Sequence, residues 1–168
     1  GEGDRTEYIY DSKDNLIKVT EAVGADIERS STYIYDDDNR EIERQEASGT
    51  TSLYYDSRGN LIAKRTPNGQ ITAYFYDAVS QLLQTIQGAG SVADDGTVTF
   101  SSEKGGTRTT NVYDSRGQII SKQSSFADGS DVRLTRYTYD NFNRLIAVTD
   151  PDGFTSAFDY DAFGNQKS

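Results

Sequence analysis

The side chains of this sequence that could do chemistry are its carboxylates. There are 27 Asp and Glu against 17 Lys and Arg, with no His and no Cys, so proton transfer or hard-metal chemistry would have to run on carboxyl oxygens. A glycosidase would need two of them about 5 to 10 Å apart across a cleft. A serine nucleophile would have no imidazole base, and a Ser-Lys arrangement has no motif here to support it. The run Asp36-Asp37-Asp38-Asn39 and the pair Asp94-Asp95 offer oxygens suited to calcium, but neither has the EF-hand spacing. Both read as solvated acidic turns. Seven aspartates share one context, each preceded by tyrosine: Tyr10-Asp11, Tyr35-Asp36, Tyr55-Asp56, Tyr76-Asp77, Tyr113-Asp114, Tyr139-Asp140 and Tyr160-Asp161. That recurrence calls for a structural explanation, so the expectation is no catalytic residue, no metal site and no cofactor.

The elements around these pairs repeat with them. All 12 tyrosines fall one to three residues before a motif aspartate, and the aspartates are spaced by 25, 20, 21, 37, 26 and 21 residues. That is the length of a β-hairpin with its connection. Aromatic residues at positions minus three and minus one, as in Tyr33 and Tyr35 or Tyr74 and Tyr76, share one face of a strand. Three residues after Asp stand Asp14, Asn39, Gly59, Ser80, Gly117, Asn143 and Gly164. All but Ser80 are types that tolerate positive φ, so a type I turn with a left-handed residue is expected, with Ser80 strained or in another turn.

Behind the turns come aliphatic pairs: Leu16-Ile17, Leu61-Ile62, Leu82-Leu83, Ile119-Ile120 and Leu145-Ile146. Glu41-Ile42 matches by half and Gln166-Lys167 fails, so the last hairpin is expected to be truncated or frayed. A second class of turn is expected between hairpins. Thr66-Pro67-Asn68-Gly69 and Asp150-Pro151-Asp152-Gly153 hold the two prolines, with Ala22-Val23-Gly24-Ala25, Ala47-Ser48-Gly49 and Ala127-Asp128-Gly129-Ser130 in the same role. The reading is one segment, 1–168, of about seven hairpins, with 87–110 as an inserted loop or extra hairpin. The fold class is all-β, a twisted, curved sheet of tandem antiparallel hairpins. A ladder of tyrosines across neighbouring hairpins is favoured over a sugar-stacking surface. Its central members should be more buried than Tyr10 and Tyr160.

Composition narrows the partners. A net charge of -10 repels phosphate backbones and anionic lipid, which argues against nucleic acid and against membrane insertion by this segment. With 34% hydrophobic residues and a mean hydropathy of -0.73 the core must be lean. The start at Gly1 without Met favours a piece of a longer polypeptide.

The recurrent Tyr-x-Tyr-Asp-x-x-Gly-Asn/Arg-Leu-Ile, as in Tyr137 to Ile146 and Tyr55 to Ile62, resembles the YD repeat of the Rhs family over residues 5 to 168. Individual copies depart: Leu53 and Asn111 replace the upstream Tyr, and Glu41 and Gln166 the aliphatic. The resemblance implies a large secreted or surface-exposed assembly, as in Rhs and wall-associated polymorphic toxins, Tc toxin shells and teneurins. In that family the hairpins wind into a hollow shell around a toxic segment. The implied partners are flanking repeats of the same polypeptide and an enclosed toxin segment, with a glycan or protein ligand as the alternative. Asp150-Pro151-Asp152-Gly153 matches four residues of the family's self-cleaving terminus but is followed by another Tyr-Asp repeat. It is read as an ordinary turn, and neither autoproteolysis nor toxicity is carried over.

Overall fold

A computed structural model describes residues 5–22, 28–101 and 106–167. The motif hairpins are β1 (Glu7–Tyr10) with β2 (Leu16–Glu21), β3 (Arg29–Tyr35) with β4 (Glu41–Glu46), and β5 (Gly49–Tyr55) with β6 (Leu61–Arg65). They continue as β7 (Gln70–Tyr76) with β8 (Leu82–Val92), β10 (Thr107–Tyr113) with β11 (Ile119–Phe126), and β12 (Arg133–Tyr139) with β13 (Leu145–Thr149). The short β9 (Val98–Phe100) pairs back on the far half of β8, and β14 (Thr155–Ala157) leads to the last motif. The sheet is antiparallel, follows chain order apart from β9, and is open, with β1 and β14 at its edges. The last return strand is a single bridge, Tyr160 to Gln166, as the polar Gln166-Lys167 would give. No helix of the described residues is long and apolar enough to cross a membrane.

The backbone explains the motif spacing. In all seven motif turns the Asp N–H donates to the carbonyl four residues on, and the N–H three residues on donates back to the Asp carbonyl. The third residue after Asp has φ between 60° and 87° in every copy. Ser80, at φ 64°, therefore makes the same turn as the others. It adopts the left-handed conformation without the lack of Cβ or the short amide that makes it cheap. The supposed second class of turn largely disappears as well. Turns starting at Thr66, Phe126 and Asp150 carry the same pair of backbone bonds, with Gly69, Gly129 and Gly153 left-handed. The frame at Ala127 thus begins one residue earlier than the sequence suggested. The genuine exception is Ala47-Ser48, a two-residue connection closed by the Glu46–Gly49 pair. Most of Ala22-Val23-Gly24-Ala25 lies outside the described residues.

A second regularity follows each turn. The motif tyrosine pairs with the first residue of the return strand, as Tyr10 with Leu16, Tyr35 with Glu41, Tyr55 with Leu61, Tyr113 with Ile119 and Tyr139 with Leu145. The residue before it pairs two positions further along the return strand instead of one, so one residue is left over as a β-bulge. That residue is Ile17, Ile42, Ile62, Ile120 or Ile146. The aliphatic pair is thus a paired residue and a bulge, which increases the local twist at each hairpin end.

The described residues form two compact units, Gly1–Ala73 with Ala89–Ser101, and Tyr74–Gly88 with Ser102–Ser168. In the first, Ala63 pairs with Ala73, and with Ile71 they are the fully enclosed apolar side chains. The β8–β9 turn lies over this unit's sheet, where a Cβ on Gly96 would come within 2.7 Å of Ile62 Cδ1 and 3.5 Å of Tyr54 Cβ. In the second, Ala127 and Ser125 are buried, and a Cβ on Gly106 would meet Gln87 O at 2.4 Å. Enclosed apolar residues are this few because each strand is shared between two sheet faces. Most contacts are half-buried, and backbone pairing does the organising.

Candidate functional site

The motif aspartates are committed to their own turns. In all seven copies Oδ1 accepts two backbone N–H groups, from the residues two and four positions on, at 2.8 to 3.0 Å. In five copies Oδ2 takes a further bond from the side chain at the fourth position: Asn15 (3.0 Å), Arg40 (2.7 Å), Asn60 (2.8 Å), Arg144 (2.7 Å) and Asn165 (3.0 Å). A carboxylate that accepts three donors is a poor base and stays ionised.

The titration directions agree. Asp11, Asp56 and Asp161 are held below the ordinary aspartate value, first by the side-chain amides of Asn15, Asn60 and Asn165. Asp36 is lowered first by the Arg40 backbone N–H, then by its guanidinium against the cost of partial burial. For Asp140 partial burial is the largest single influence and raises the value, but the bonds and charge of Arg144 with the Phe142 N–H bring it below the ordinary value.

The tyrosines are committed to the preceding hairpin. Tyr35 Oη donates to Leu16 O (2.9 Å), Tyr55 to Glu41 O (3.0 Å), Tyr113 to Leu82 O (2.9 Å), Tyr139 to Ile119 O (3.1 Å) and Tyr160 to Leu145 O (2.8 Å). The acceptor is always the residue five positions after the previous motif aspartate. The ladder expected from the sequence is thus not one of stacked tyrosines. A return strand separates successive motif tyrosines, and each phenol reaches across to a main-chain oxygen. Loss of hydration, the leading cause, raises the Tyr35, Tyr55 and Tyr139 hydroxyls above the usual phenol value. They remain donors throughout the physiological range.

Burial departs from expectation at one end. Tyr10, with no hairpin before it among the described residues, is 56% exposed, whereas Tyr160 is half-buried like Tyr35, Tyr55, Tyr76, Tyr113 and Tyr139. Having a preceding hairpin decides it, because that hairpin supplies both acceptor and cover. None of these rings is buried as a core aromatic would be.

Side chains at the turns add lateral joints within each unit. In the first, Asn15 Nδ2 donates to Asn39 Oδ1 (3.1 Å), and Arg40 lies 5.0 Å from the Tyr55 ring centre with Nη1 3.4 Å from Asp56 O. In the second, Arg116 Nη1 donates to Asn143 Oδ1 (2.9 Å), and Arg144 lies 4.7 Å from the Tyr160 ring. Gln118 reaches across to the next turn instead of back to Asp114. Its Nε2 donates to Asn143 O (3.1 Å), and its Oε1 is buried without a partner. The fourth turn position was legible as polar, but its role as the joint was missed. The signal was there in Asn, Arg or Gln recurring at all seven copies.

A cleft of about 540 Å³ in the first unit is lined by Ile34, Glu43, Ser52, Tyr54, Asp94 and Asp95 among others. Two of its carboxylates are engaged locally. Asp36 is bonded to Arg40, and Asp95 Oδ1 accepts Thr97 N–H (2.9 Å). Among the described residues no three acidic side chains come together as metal ligands. In the acidic run, Asp38 pairs with Arg40 at 3.2 Å.

Comparison with known proteins agrees with this architecture. The crystal structure of TcdB2-TccC3-Cdc42 superposes with a TM-score of 0.71 at 18% identity, over 95% of this chain and 9% of that one. This chain therefore spans about a tenth of the length of that neighbour. TcdB2-TccC3 without its hypervariable C-terminal region (TM-score 0.41, 16% identity, 98% and 12% covered) is a looser match. So is a porin-like protein from Bacteroides uniformis (0.44, 12% identity, 99% and 83% covered), and both are too distant to bear on function. No sequence relative of curated function was found. The RHS Repeat family matches residues 55–92, 113–155 and 139–168, together more than half of the chain. The chain belongs to the RHS repeat family.

Proposed function

We propose that this segment is a non-enzymatic wall element. Joined to flanking repeats of its own polypeptide, it helps to enclose a toxin segment in a secreted or cell-surface protein of Rhs or Tc type. The observation that carries this reading is how the motif side chains are used. Oδ1 of each motif Asp closes a turn, and motif tyrosines tie one hairpin to the one before it. These are the means of extending a sheet one hairpin at a time, and they engage every motif carboxylate in its own turn through Oδ1. Family membership and the shared fold with TcdB2-TccC3-Cdc42 support the scaffold role.

The test is limited proteolysis of the intact parent. An enclosed segment should resist protease, and deletion of residues 56–76, which removes one repeat in phase, should expose it. Degradation of that segment as fast as in isolation would overturn the enclosure.

A second reading, an extracellular carbohydrate- or protein-binding module, draws on Phe142 and Phe163. These stand at the tips of neighbouring turns, 80% and 92% exposed, where aromatic rings could meet a sugar or a protein surface. Selective retention on a glycan array, lost in Phe142→Ser/Phe163→Ser, would favour it. A wall element alone should show no selective binding.

A further inference from the structure

The turn that joins β6 to β7 brings together the parts of a spontaneous reaction. Asn68 is exposed, and it is the one asparagine of the chain followed by glycine; the others precede Leu, Arg, Val, Phe or Gln. Gly69 is left-handed at φ 80°, and a Cβ there would meet nothing within 4 Å, so no side chain crowds the residue after Asn68, although its N–H donates to Thr66 O at 2.9 Å. The Asn68 side chain is folded forward. Its Oδ1 accepts from the Gln70 N–H at 3.2 Å and, at 2.6 Å, from the Thr66 hydroxyl, whose single proton has Gln70 O as a second, longer acceptor at 3.0 Å. Two donors on an amide oxygen draw electrons from its carbon and stabilise the oxyanion formed when a nucleophile adds, as in an oxyanion hole. The bond to Gln70 folds the Asn68 side chain forward past Gly69.

We propose that Asn68-Gly69 is a self-modification site, activated by Thr66, at which asparagine converts to isoaspartate. When its N–H opens from Thr66 O, the Gly69 nitrogen gives its proton to hydroxide and forms a bond to Asn68 Cγ. The C–N bond of the side-chain amide then breaks, the departing nitrogen takes up a proton, and ammonia leaves a five-membered succinimide. Water opens the ring at either carbonyl, giving aspartate or isoaspartate. The sum is amide plus water to acid plus ammonia, with no oxidant or cofactor. Asp95-Gly96, Asp128-Gly129 and Asp152-Gly153 occupy equivalent turns, but an ionised carboxylate is a far weaker electrophile than an amide. Isoaspartate places an extra methylene in the main chain. The bonds Gly69 N to Thr66 O and Thr66 N to Gln70 O, both 2.9 Å, then lose their register, and the modification loosens this hairpin end while adding a negative charge.

The experiment is incubation of the folded chain at mildly alkaline pH, followed by peptide mapping and isoaspartate-specific methyl labelling. The expected result is conversion confined to the peptide containing Asn68, slowed about fivefold in Thr66→Val, the worth of one neutral hydrogen bond. Thr66→Ser should restore the rate, and Asn68→Gln should be inert, with circular dichroism confirming that each variant is folded. A folded chain that stays intact while the urea-unfolded chain converts would overturn the proposal. So would conversion spread over other asparagines, or equal rates in the wild type, Thr66→Val and Thr66→Ser.

Discussion

The joint after Asp36 and the joint after Asp114 are built on one backbone and part most clearly at the fourth turn position, Arg40 in one and Gln118 in the other. At the first, Arg40 holds Asp36 Oδ2 at 2.7 Å and spreads over Tyr55, whose hydroxyl reaches Glu41 O. At the second, Gln118 bypasses Asp114 and leaves Oε1 buried without a partner, yet Tyr139 still reaches Ile119 O at 3.1 Å. The turn and the tyrosine bridge are therefore the invariant parts. The fourth turn position only tunes how firmly the turn is braced, since the Asp oxygen bonded to the backbone is satisfied in both.

If that division holds, the largest losses fall on the shared parts. Gly117→Val should cost about 2–3 kcal/mol, because a β-branched residue is forced to positive φ. Its Cβ would also come within 2.9 Å of Gln81 Nε2. Gly59→Val, where the nearest atom is Arg40 Nη1 at 3.7 Å, should cost slightly less. Urea denaturation of both checks this, and a shift no larger than that of the exposed change Ser101→Val would break the turn assignment.

Next come the tyrosines. Tyr55→Ala and Tyr139→Ala should lose similar amounts, about 2 kcal/mol, roughly half the cost of a fully buried aromatic because these rings are half-buried. Tyr→Phe at either site should lose about 1 kcal/mol for the hydroxyl bond. Tyr10→Ala should stay within about 0.5 kcal/mol of wild type. Equal melting shifts at Tyr10 and Tyr139 would show that the preceding hairpin does not matter.

The differing side chain is expected to matter less. Gln118→Asn should stabilise by about 1 kcal/mol, by removing an unpartnered oxygen and restoring the bond to Asp114. No gain in the denaturation midpoint would count against the bracing role. Ser80→Gly should be neutral or gain up to about 1 kcal/mol, relief at φ 64° being partly offset by a freer unfolded chain.

The smallest effect per site is electrostatic. Asp11, Asp36, Asp56, Asp140 and Asp161 have folded values below the unperturbed 3.8. Their contribution is thus fully present above that pH and fades as pH falls through the lower folded values. Melting temperature should decline there, and Asp56→Asn should flatten the slope. A slope unchanged in Asp56→Asn would remove that carboxylate from the account.

Most of the local structure was legible in the sequence because short-range geometry dictates it. Asp followed three residues later by Gly, Asn or Asp specifies the turn, and aromatic alternation specifies the strand face. The recurrence of both at about 20 to 26 residues specifies consecutive hairpins. Proline misled in a small way. Pro67 and Pro151 suggested a separate turn class, but their fixed φ suits the same type I backbone.

What the sequence left open depended on neighbours brought together only by folding. Whether Tyr35 stacks on another tyrosine or reaches Leu16 O depends on the strand between them, which the spacing of motifs does not reveal. Ile17, Ile42, Ile62, Ile120 and Ile146 read as ordinary strand residues until the pairing register marked them as bulges. The insertion around Asp94-Asp95-Gly96 reads as an inserted loop or extra hairpin, and its packing against Ile62 and Tyr54 is a long-range contact that no local pattern encodes. By itself the sequence determined the repeating unit, because turns and strand faces are set within a few residues. The tertiary structure decided how one unit grips the next, because that grip is made between a side chain and a main-chain oxygen 14 to 31 residues away.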